Sequence, residues 1–381
     1  MNPLKDLSNF GQSVWLDFLS RAFIRDGKLA HALDADNITG VTSNPSIFEK
    51  AIGHSEDYDD QIGQLIGKGV TDPRKLFREL AVTDIKAACD VLMPVHKRSN
   101  GADGFVSMEV SPDLANDREG TLREARELWK SIGKPNLMIK VPATEAGLPA
   151  IRQLTSEGIN VNITLLFARD VYEKVAMAYI EGLEKQEGNL ADMASVASFF
   201  VSRIDSQVDE QIDAKFDSAS ETDKAALQRA RGRVAIANAR LAYQQYKTLF
   251  SGARWETLAE RGARPQRLLW ASTSTKNKAY SDILYVETLI GPDTVNTVPP
   301  ETLEAFRDHG KPAATLDTCV AESEAILDGL KKAGIWLDKT TTELTLDGVK
   351  KFEEAADKIY AAIAKKRDAL KSGHGNAHAA E

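Results

Sequence analysis

Cysteine is scarce in this chain: Cys89 and Cys319 are the only two among 381 residues, and their spacing matches no metal-ligand motif. We interpret both as reduced thiols in the core, which excludes a fold held together by disulfides. Long apolar runs and a secretory signal pattern are also lacking, so the sequence predicts neither a membrane span nor export. We therefore expect a cytoplasmic protein.

Excess positive charge is lacking as well. The formal net charge is -8 at pH 7, which argues against nucleic acid as the main partner. It leaves room for a local basic pocket that binds a phosphorylated metabolite. A composition of 43% hydrophobic and 27% charged residues is ordinary for a globular protein, and no internal repeat or long linker divides the chain.

Short apolar runs alternate with helical patterns, as in repeated strand–helix units. Because a helix-length crossover separates consecutive runs, we expect parallel strands. A glycine-rich phosphate turn after an early strand is lacking, which disfavours the alternative of a doubly wound open sheet. The sequence predicts an α/β fold, a (β/α)8 TIM barrel, with strands at 13–17, 40–45, 104–110, 136–142, 160–166, 193–201, 267–273 and 294–298.

We expect one barrel domain over residues 1–371 with two additions. A helical excursion at about 205–266 follows the sixth strand, with its longest helix over 225–250, and C-terminal helices begin at about 301. The last helix is predicted to start at Asp347 as N-cap and to pack on the barrel through an apolar stripe, Val349, Phe352, Ala356, Ile359 and Ile363.

Residues 372–381 are predicted to form a disordered tail. His374 and His378 have a spacing compatible with metal ligands on a helix, but the segment is too flexible for a site. We expect no metal.

The fourth predicted strand places a lysine, Lys140, in an apolar run with Met138, Ile139 and Val141. Apolar residues on both alternating faces are typical of a parallel strand covered on both sides, so Lys140 is expected to be buried near the carboxyl end. Burial disfavours the charged form of an amine, and a neutral amine can form a Schiff base with a carbonyl substrate. The alternative is an edge-strand lysine that discourages aggregation.

Polar side chains occur at several strand ends, where a barrel enzyme carries its chemistry. Glu109, with a water held by Thr164, could shuttle protons for the amine, and Asp17 is the free carboxylate for bond cleavage. Asp17 could instead be a helix N-cap, and Glu109 an ion-pair partner that neutralises Lys140. The polar set expected at this level is Ser13, Trp15, Asp17, Asn44, Ser107, Glu109, Asn160, Asn162, Thr164, Ser198 and Ser272.

A cation at a helix start completes the pattern. Arg203 opens the helix after the sixth strand, so its guanidinium and the helix N-terminus could hold an anion together. Lys276 and Ser272, near the end of the seventh strand, add a second cation and a hydroxyl. With these residues present we favour a phosphate pocket over an exposed helix arginine.

Five motifs follow one another between residues 13 and 300: T-S-N-P-S at 42–46, V-S-M-E-V at 106–110, L-M-I-K-V at 137–141, G-I-N-V-N-I-T-L-L-F at 158–167 and S-F-F-V-S-R at 198–203. In these motifs and their order the chain resembles the transaldolase family, in its longer bacterial form. The resemblance implies a (β/α)8 fold, a Schiff base at Lys140, and neither a metal nor an organic cofactor.

The resemblance also implies roles for the other polar residues. Asp17 would be the acid and base at the cleaved bond, and Glu109 with Thr164 would handle water. The implied ligands are Asn44 and Asn162 for sugar hydroxyls, and Ser198, Arg203 and Ser272 for the phosphate. Many family members carry an arginine shortly after the seventh-strand serine, where this chain has Ser274 and Lys276, so we assign that phosphate contact to Lys276.

The expected function is transfer of a dihydroxyacetone unit from sedoheptulose 7-phosphate or fructose 6-phosphate to an aldose phosphate, in the pentose phosphate pathway. The partners would be sugar phosphates, with a homodimer as a possible assembly. Two alternatives stay open: a Schiff-base aldolase that releases free dihydroxyacetone, and a non-catalytic barrel that binds sugar phosphates.

Overall fold

The structure, a computed structural model, describes the backbone of residues 2–377 and the side chains of residues 2–371. Eight parallel strands form a closed barrel, in which each strand pairs with the next along the chain and the last pairs with the first. The predicted (β/α)8 fold is confirmed, and an open doubly wound sheet is wrong. The strands are β1 (Gln12–Leu16), β2 (Ile38–Val41), β3 (Phe105–Glu109), β4 (Leu137–Pro142), β5 (Val161–Leu166), β6 (Ser195–Phe200), β7 (Arg267–Ala271) and β8 (Thr294–Val298).

Helices connect the strands and extend the chain beyond β8. In chain order they are α1 (Pro3–Asp6), α2 (Arg21–Arg25), α3 (Lys28–Asp36), α4 (Pro45–Gly53), α5 (Asp59–Gly67), α6 (Pro73–Arg98), α7 (Arg118–Ile132), α8 (Gly147–Ser156), α9 (Arg169–Glu184), α10 (Ser202–Phe216), α11 (Glu221–Ala230), α12 (Val234–Leu249), α13 (Ala253–Ala259), α14 (Leu284–Glu287), α15 (Pro300–His309), α16 (Val320–Lys332) and α17 (Leu337–Ala377).

Strands β3 to β6 are buried at every position. Helices cover the outer face of these strands and side chains fill the barrel interior. Residues that point outward and residues that point inward are therefore both shielded from water. A polar side chain on such a strand must therefore find its partners inside the barrel. This applies to Lys140 on β4, and it rules out the edge-strand alternative because a closed barrel has no edge.

The helical excursion after β6 is present, but the prediction of one long helix within it is wrong. Residues 225–250 are divided between α11 and α12, with a break at Gly232. Gly232 has a φ of 66°, in the left-handed region, and an added Cβ would lie 2.6 Å from the ring of Tyr280. Only glycine meets both conditions without strain, so the chain turns at this position.

The last helix starts ten residues before the predicted N-cap. Asp347 lies inside α17, where its carboxylate pairs with Lys351 at 2.6 Å, so the N-cap prediction is wrong. Threonines at the start of α17 have low helix propensity, but Thr342 and Thr345 donate their hydroxyls to carbonyls four residues earlier in the same helix.

The predicted apolar stripe of α17 is confirmed as a packing face. Phe352, Ala356, Ile359 and Ile363 are buried. The helix lies against α4, α5 and α6 and reaches the end of β5, where Gly348 packs on the side chain of Leu165. A helix from the end of the chain therefore reaches the carboxyl ends of the strands.

The predicted tail is only partly described. Helix α17 continues to Ala377, six residues into the segment where we expected disorder. The rest of that segment, residues 378–381, lies outside the described residues, as do the side chains of His374 and His378.

Three members of the predicted polar set lie at the opposite end of the barrel. Ser13 and Trp15 donate to the carboxylate of Asp103, which precedes β3, and Asn160 bonds the backbone just before and at the start of β4. Four residues of strand span about 13 Å, so Ser13 cannot reach the level of Asp17. Their placement at the level of Lys140 was wrong.

Cysteine burial differs between the two thiols. Cys89 is buried as predicted, whereas Cys319 is exposed at the start of α16, so its assignment to the core is wrong. Within the described part of the chain, no helix is both long and apolar enough to cross a membrane.

Candidate active site

Lys140 lies near the carboxyl end of β4 with only 5% of its surface exposed. Its Nζ donates a hydrogen bond of 3.0 Å to the backbone carbonyl of Ser43, in the segment after β2. The same nitrogen is 3.5 Å from Oε2 of Glu109. A primary amine is thus held inside the barrel by one carbonyl and one carboxylate.

Glu109 ends β3, directly opposite Lys140 in the strand register. Burial raises the pKa of Glu109 to about 7, although the neighbouring Lys140 acts to lower it. Neither carboxylate oxygen has a hydrogen-bond partner among the described residues, and both are buried. A carboxyl group with a pKa near neutrality can give and accept a proton at working pH.

Thr164 supplies a third unpaired oxygen at the same end of the barrel. Its buried Oγ1 has no hydrogen-bond partner within the described chain, while its backbone carbonyl accepts from Ala143. The next residue, Leu165, has a φ of 56°, uncommon for a leucine, and the register between β5 and β6 shifts there. The ladder is thus irregular directly after Thr164.

Asp17 follows the last residue of β1 and is fixed by two hydrogen bonds. Its backbone N–H donates to the carbonyl of Val298, and Thr42 Oγ1 donates to its carboxylate at 2.7 Å. Burial raises the pKa of Asp17, while the Thr42 bond and the charges of Lys140 and Arg203 oppose the rise. Asp17 does not cap a helix, so that alternative is wrong.

A cavity of about 200 Å³ opens at the carboxyl ends of the strands. Most predicted site residues line it, namely Asp17, Asn44, Lys140, Thr164, Ser198, Arg203, Ser272 and Lys276. Glu109 lines an adjoining cavity of about 170 Å³ that also reaches Asn44, and Asn162 lies behind the wall. The structure therefore brings the predicted residues to one place, with Glu109 and Asn162 as its second layer.

Asn162 and Ser198 form a buried chain of hydrogen bonds under the cavity. The amide of Asn162 donates to Ser107 Oγ at 2.9 Å, and Ser198 Oγ donates to Asn162 Oδ1 at 2.7 Å. Asn162 is also the register partner of Lys140. These hydrogen bonds connect β3, β5 and β6 beside Lys140 on β4.

Asn44 has a structural role as well as a place in the cavity wall. Its Oδ1 accepts the backbone N–H of Ile47 and so caps α4, whose first residue is Pro45. The segment after β2 therefore leads directly into a helix. The cap uses the amide oxygen of Asn44, so the amide nitrogen is not engaged in it.

Arg203 lies in the first turn of α10, and its guanidinium is 5.2 Å from the centre of the Phe200 ring. Its Nη1 is buried and has no hydrogen-bond partner among the described residues. Burial lowers the pKa of Arg203, against the opposing charges of Asp347 and Asp17. A half-buried cation that has no ion pair with a described residue and lies at a helix start is a favourable place for an anion.

The residues after β7 form the wall beside Arg203. Ser272 has a φ of 55°, and its Oγ lies 3.1 Å from that of Ser202. Lys276 is exposed and donates to Ser274 Oγ. Both Ser274 and Lys276 line the cavity, so its wall combines the cations of Arg203 and Lys276 with serine hydroxyls.

Sequence reasoning missed several wall residues. Thr42 was visible in the T-S-N-P-S motif but received no role, although its hydroxyl holds Asp17. Glu301 follows the two prolines that end β8. Phe352 comes from α17, and no local signal connects an apolar helix position with a cavity so far away in sequence.

Within the described residues no group of three or more His, Cys, Asp or Glu side chains is arranged to hold a metal ion. The expectation that neither metal nor cofactor is needed stays a prediction.

The fold and the site together define a lysine-centred (β/α)8 barrel with two carboxylates and a cation-lined cavity at the carboxyl ends of its strands. The family model described as Transaldolase/Fructose-6-phosphate aldolase matches residues 14–363. The chain belongs to the transaldolase/fructose-6-phosphate aldolase family.

Relatives named as transaldolases are similar along almost the whole chain. A transaldolase of Parafrankia sp. is 48% identical over 361 residues, which cover 94% of this chain and 96% of that protein. A transaldolase 2 of Nostoc sp. is 46% identical over 361 residues, with coverage of 92% and 94%. A transaldolase of Acidothermus cellulolyticus is 44% identical over 378 residues, with coverage of 98% and 99%. The similarity includes the helical excursion.

Proposed function

We propose that this protein is a transaldolase of the pentose phosphate pathway. It would transfer a dihydroxyacetone unit from sedoheptulose 7-phosphate or fructose 6-phosphate to glyceraldehyde 3-phosphate or erythrose 4-phosphate. The observation that supports this best is the buried Lys140 amine, 3.5 Å from a carboxyl group whose pKa burial raises to about 7. Family membership points to the same chemistry.

The reaction begins with attack of Lys140 Nζ on the ketone carbon. Loss of water from the carbinolamine requires a proton on its hydroxyl, and Glu109 supplies it through a water held by Thr164. The unpaired oxygens of Glu109 and Thr164 are suited to hold that water, because each lacks another partner among the described residues. The product of this step is a protonated Schiff base.

Cleavage of the carbon–carbon bond leaves an enamine on Lys140. Asp17 takes the proton of the hydroxyl on the departing carbon, and the positive imine nitrogen accepts the electron pair. Asp17 is fixed for this role by Thr42. The enamine then attacks the acceptor aldehyde, Asp17 returns the proton, and hydrolysis releases the new ketose.

The outer part of the cavity would bind the substrate phosphate. Arg203, Ser272 and Lys276 supply a guanidinium, a hydroxyl and an ammonium beside the start of α10. Asn44 and Asn162 are proposed for the sugar hydroxyls. Because both hydrogen-bonding ends of Asn162 are engaged by Ser107 and Ser198, it would act mainly through its remaining amide proton.

The enzymatic alternative is an aldolase that releases free dihydroxyacetone, and the family description includes such an activity. The names of the relatives favour the transferase. Omitting the acceptor aldehyde separates the two, because a transferase stalls with its enamine loaded whereas an aldolase keeps releasing dihydroxyacetone. A non-catalytic barrel would bind fructose 6-phosphate without a reducible imine.

The test of the mechanism is borohydride reduction in the presence of fructose 6-phosphate, followed by peptide mass analysis. We expect a three-carbon adduct on the peptide that contains Lys140, and none in a folded Lys140→Ala protein. The matched control is Lys134→Ala, which removes a partly exposed lysine of the same region. An adduct elsewhere, or full turnover by Lys140→Ala, would contradict the proposal.

A cytoplasmic location, a homodimer and the lack of nucleic-acid partners remain predictions. Size-exclusion chromatography with light scattering measures the assembly directly.

A further inference from the structure

A groove of about 530 Å³ lies outside the candidate active site, between α12, α16 and the segment that connects β7 to α14. Three arginines reach it from one stretch of chain, Arg231, Arg233 and Arg240. The proposed reaction uses none of them. The groove is therefore a concentration of positive charge that the site chemistry leaves unexplained.

Arg240 is the central feature of this groove. It has no ion pair with any described residue, and its Nε is buried without a hydrogen-bond partner among them. Its Nη2 donates only to backbone carbonyls, of Thr315 at 3.1 Å and Thr288 at 3.5 Å. Burial lowers the pKa of Arg240. The charge of Glu322 partly offsets this effect, but a half-buried cation without a direct ion pair to a described residue is costly, and a bound anion would reduce that cost.

The other charges leave an excess of arginine on the groove wall. Arg231 is paired with Asp213 at 2.6 Å. Arg233 is 58% exposed and has a longer ion pair, of 3.6 Å, with Glu322. Glu322 is the one carboxylate that lines the groove among the described residues. Arg233, the N-cap residue of α12, and Arg240, within that helix, both line the groove and are the two guanidiniums that we consider for an anion.

The remaining wall is partly apolar. Ile236, Leu284 and Ile326 line the groove beside the arginines. Such a wall accommodates the carbon part of a ligand whose charged group lies on the guanidiniums.

The far wall belongs to the segment that also forms the candidate active site. Tyr280 lines the groove, and the chain that leads to it carries Ser272 and Lys276. The Tyr280 hydroxyl donates to Asp209 at 2.6 Å, and Asp209 lies on α10 with Arg203. A ligand between α12 and this segment would therefore restrain both walls of the phosphate pocket.

We propose that this groove is a second anion site, which binds a small phosphate ester through Arg240 and Arg233, with its carbon part on the apolar wall. Occupancy orders the segment at 272–284. The site is separate from the one that holds the substrate phosphate, and the proposal does not depend on the reaction catalysed.

Phenyl phosphate is a suitable probe, because its ring fits the apolar wall and it carries one phosphate group. The protein for the test is the full chain with Arg203→Met, which removes the guanidinium of the active-site pocket. Isothermal titration should show one site on this protein. Adding Arg240→Met should weaken the binding of phenyl phosphate at least tenfold. Adding Arg233→Glu instead should have the same effect, and because this side chain is exposed we expect the fold to stay intact.

The matched control is Arg229→Met in the same background. Arg229 also contacts Glu322, at 3.4 Å, but does not line the groove, so affinity should be unchanged. Amide hydrogen exchange tests whether the groove is coupled to the segment at 272–284. Phenyl phosphate should slow exchange in this segment at least threefold, and it should have no such effect on the Arg240→Met protein. No binding to the Arg203→Met protein, or equal binding after both groove substitutions, would overturn the proposal. Since turnover is not measured, this failure is distinguishable from failure of the Schiff-base mechanism.

Discussion

Glu109→Gln tests whether this carboxyl group is a proton shuttle or only the ion-pair partner of Lys140. Burial raises the pKa of Glu109 from 4.5 to about 7 in the folded protein. A difference of that size between the folded and unfolded chains corresponds to about 3 kcal/mol. Its proton contributes stability that is fully present below pH about 4.5 and is lost as pH rises through about 7.

Glutamine has the shape of the neutral carboxylic acid but does not ionise. Relative to Glu109→Gln, the wild-type protein should therefore lose up to about 3 kcal/mol of unfolding free energy between pH 5 and pH 8. The assay is urea unfolding at pH 5, 6, 7 and 8, followed by far-ultraviolet circular dichroism and by tryptophan fluorescence. Glu145→Gln, which changes an exposed carboxylate just after β4, should show no such trend.

The ion-pair alternative predicts the opposite sign. If Glu109 were ionised throughout and served to neutralise Lys140, its removal would leave an unpaired buried ammonium and cost about 3–5 kcal/mol at neutral pH. Glu109→Gln less stable than wild type at pH 8, or a difference that does not vary with pH, would refute the reasoning. As a shuttle, Glu109 also contributes to rate, so the variant should form the borohydride-trapped adduct about 10²–10⁴ times more slowly.

Three further substitutions separate the proposed roles. Asp17→Asn should still form the reducible imine with fructose 6-phosphate but lose about 10²–10⁴ in turnover; loss of the imine itself would contradict its role at the cleaved bond. Arg203→Met should raise KM for fructose 6-phosphate about 10–100-fold and leave KM for unphosphorylated fructose unchanged, because it removes charge-assisted bonds to phosphate alone; equal effects on both sugars would exclude a phosphate contact. Tyr280→Phe removes the 2.6 Å hydrogen bond to Asp209, so KM for fructose 6-phosphate should rise about 3–10-fold at constant kcat. A change in kcat alone would show that this hydrogen bond does not support the phosphate pocket.

The barrel and the residues around Lys140 were predictable because period-two alternation and the signals that end a strand can be recognised within a short stretch of sequence. Lys140, Glu109 and Thr164 lie on strands whose apolar neighbours fix which residues share a face. Since all eight strands run parallel, their carboxyl ends meet at one rim, and three separate stretches of sequence converge there.

The errors arose where a non-local contact decides the structure. The break at Gly232 depends on the ring of Tyr280, about fifty residues away in the chain. The early start of α17 goes against the low propensity of its threonines, and tertiary packing outweighs such a preference. Alternation shows on which face of a strand a side chain lies, but not its position along the barrel axis. For this reason Ser13 was grouped with Asp17, although the two lie at different levels of the barrel.

Thr42 accounts for the different roles proposed for two carboxyl groups, the half-buried Asp17 and the buried Glu109. Burial raises the pKa of both Asp17 and Glu109, and the charge of Lys140 opposes the rise in both. They differ in that Asp17 also accepts a 2.7 Å hydrogen bond from Thr42, whereas Glu109 accepts none from any described hydroxyl. A hydroxyl donor favours the ionised form, which suits Asp17 to the role of base proposed for it and leaves Glu109 to the proposed role of proton shuttle. In the proposed mechanism, a threonine that takes no part in the bonds made or broken therefore separates the roles of the two carboxyl groups.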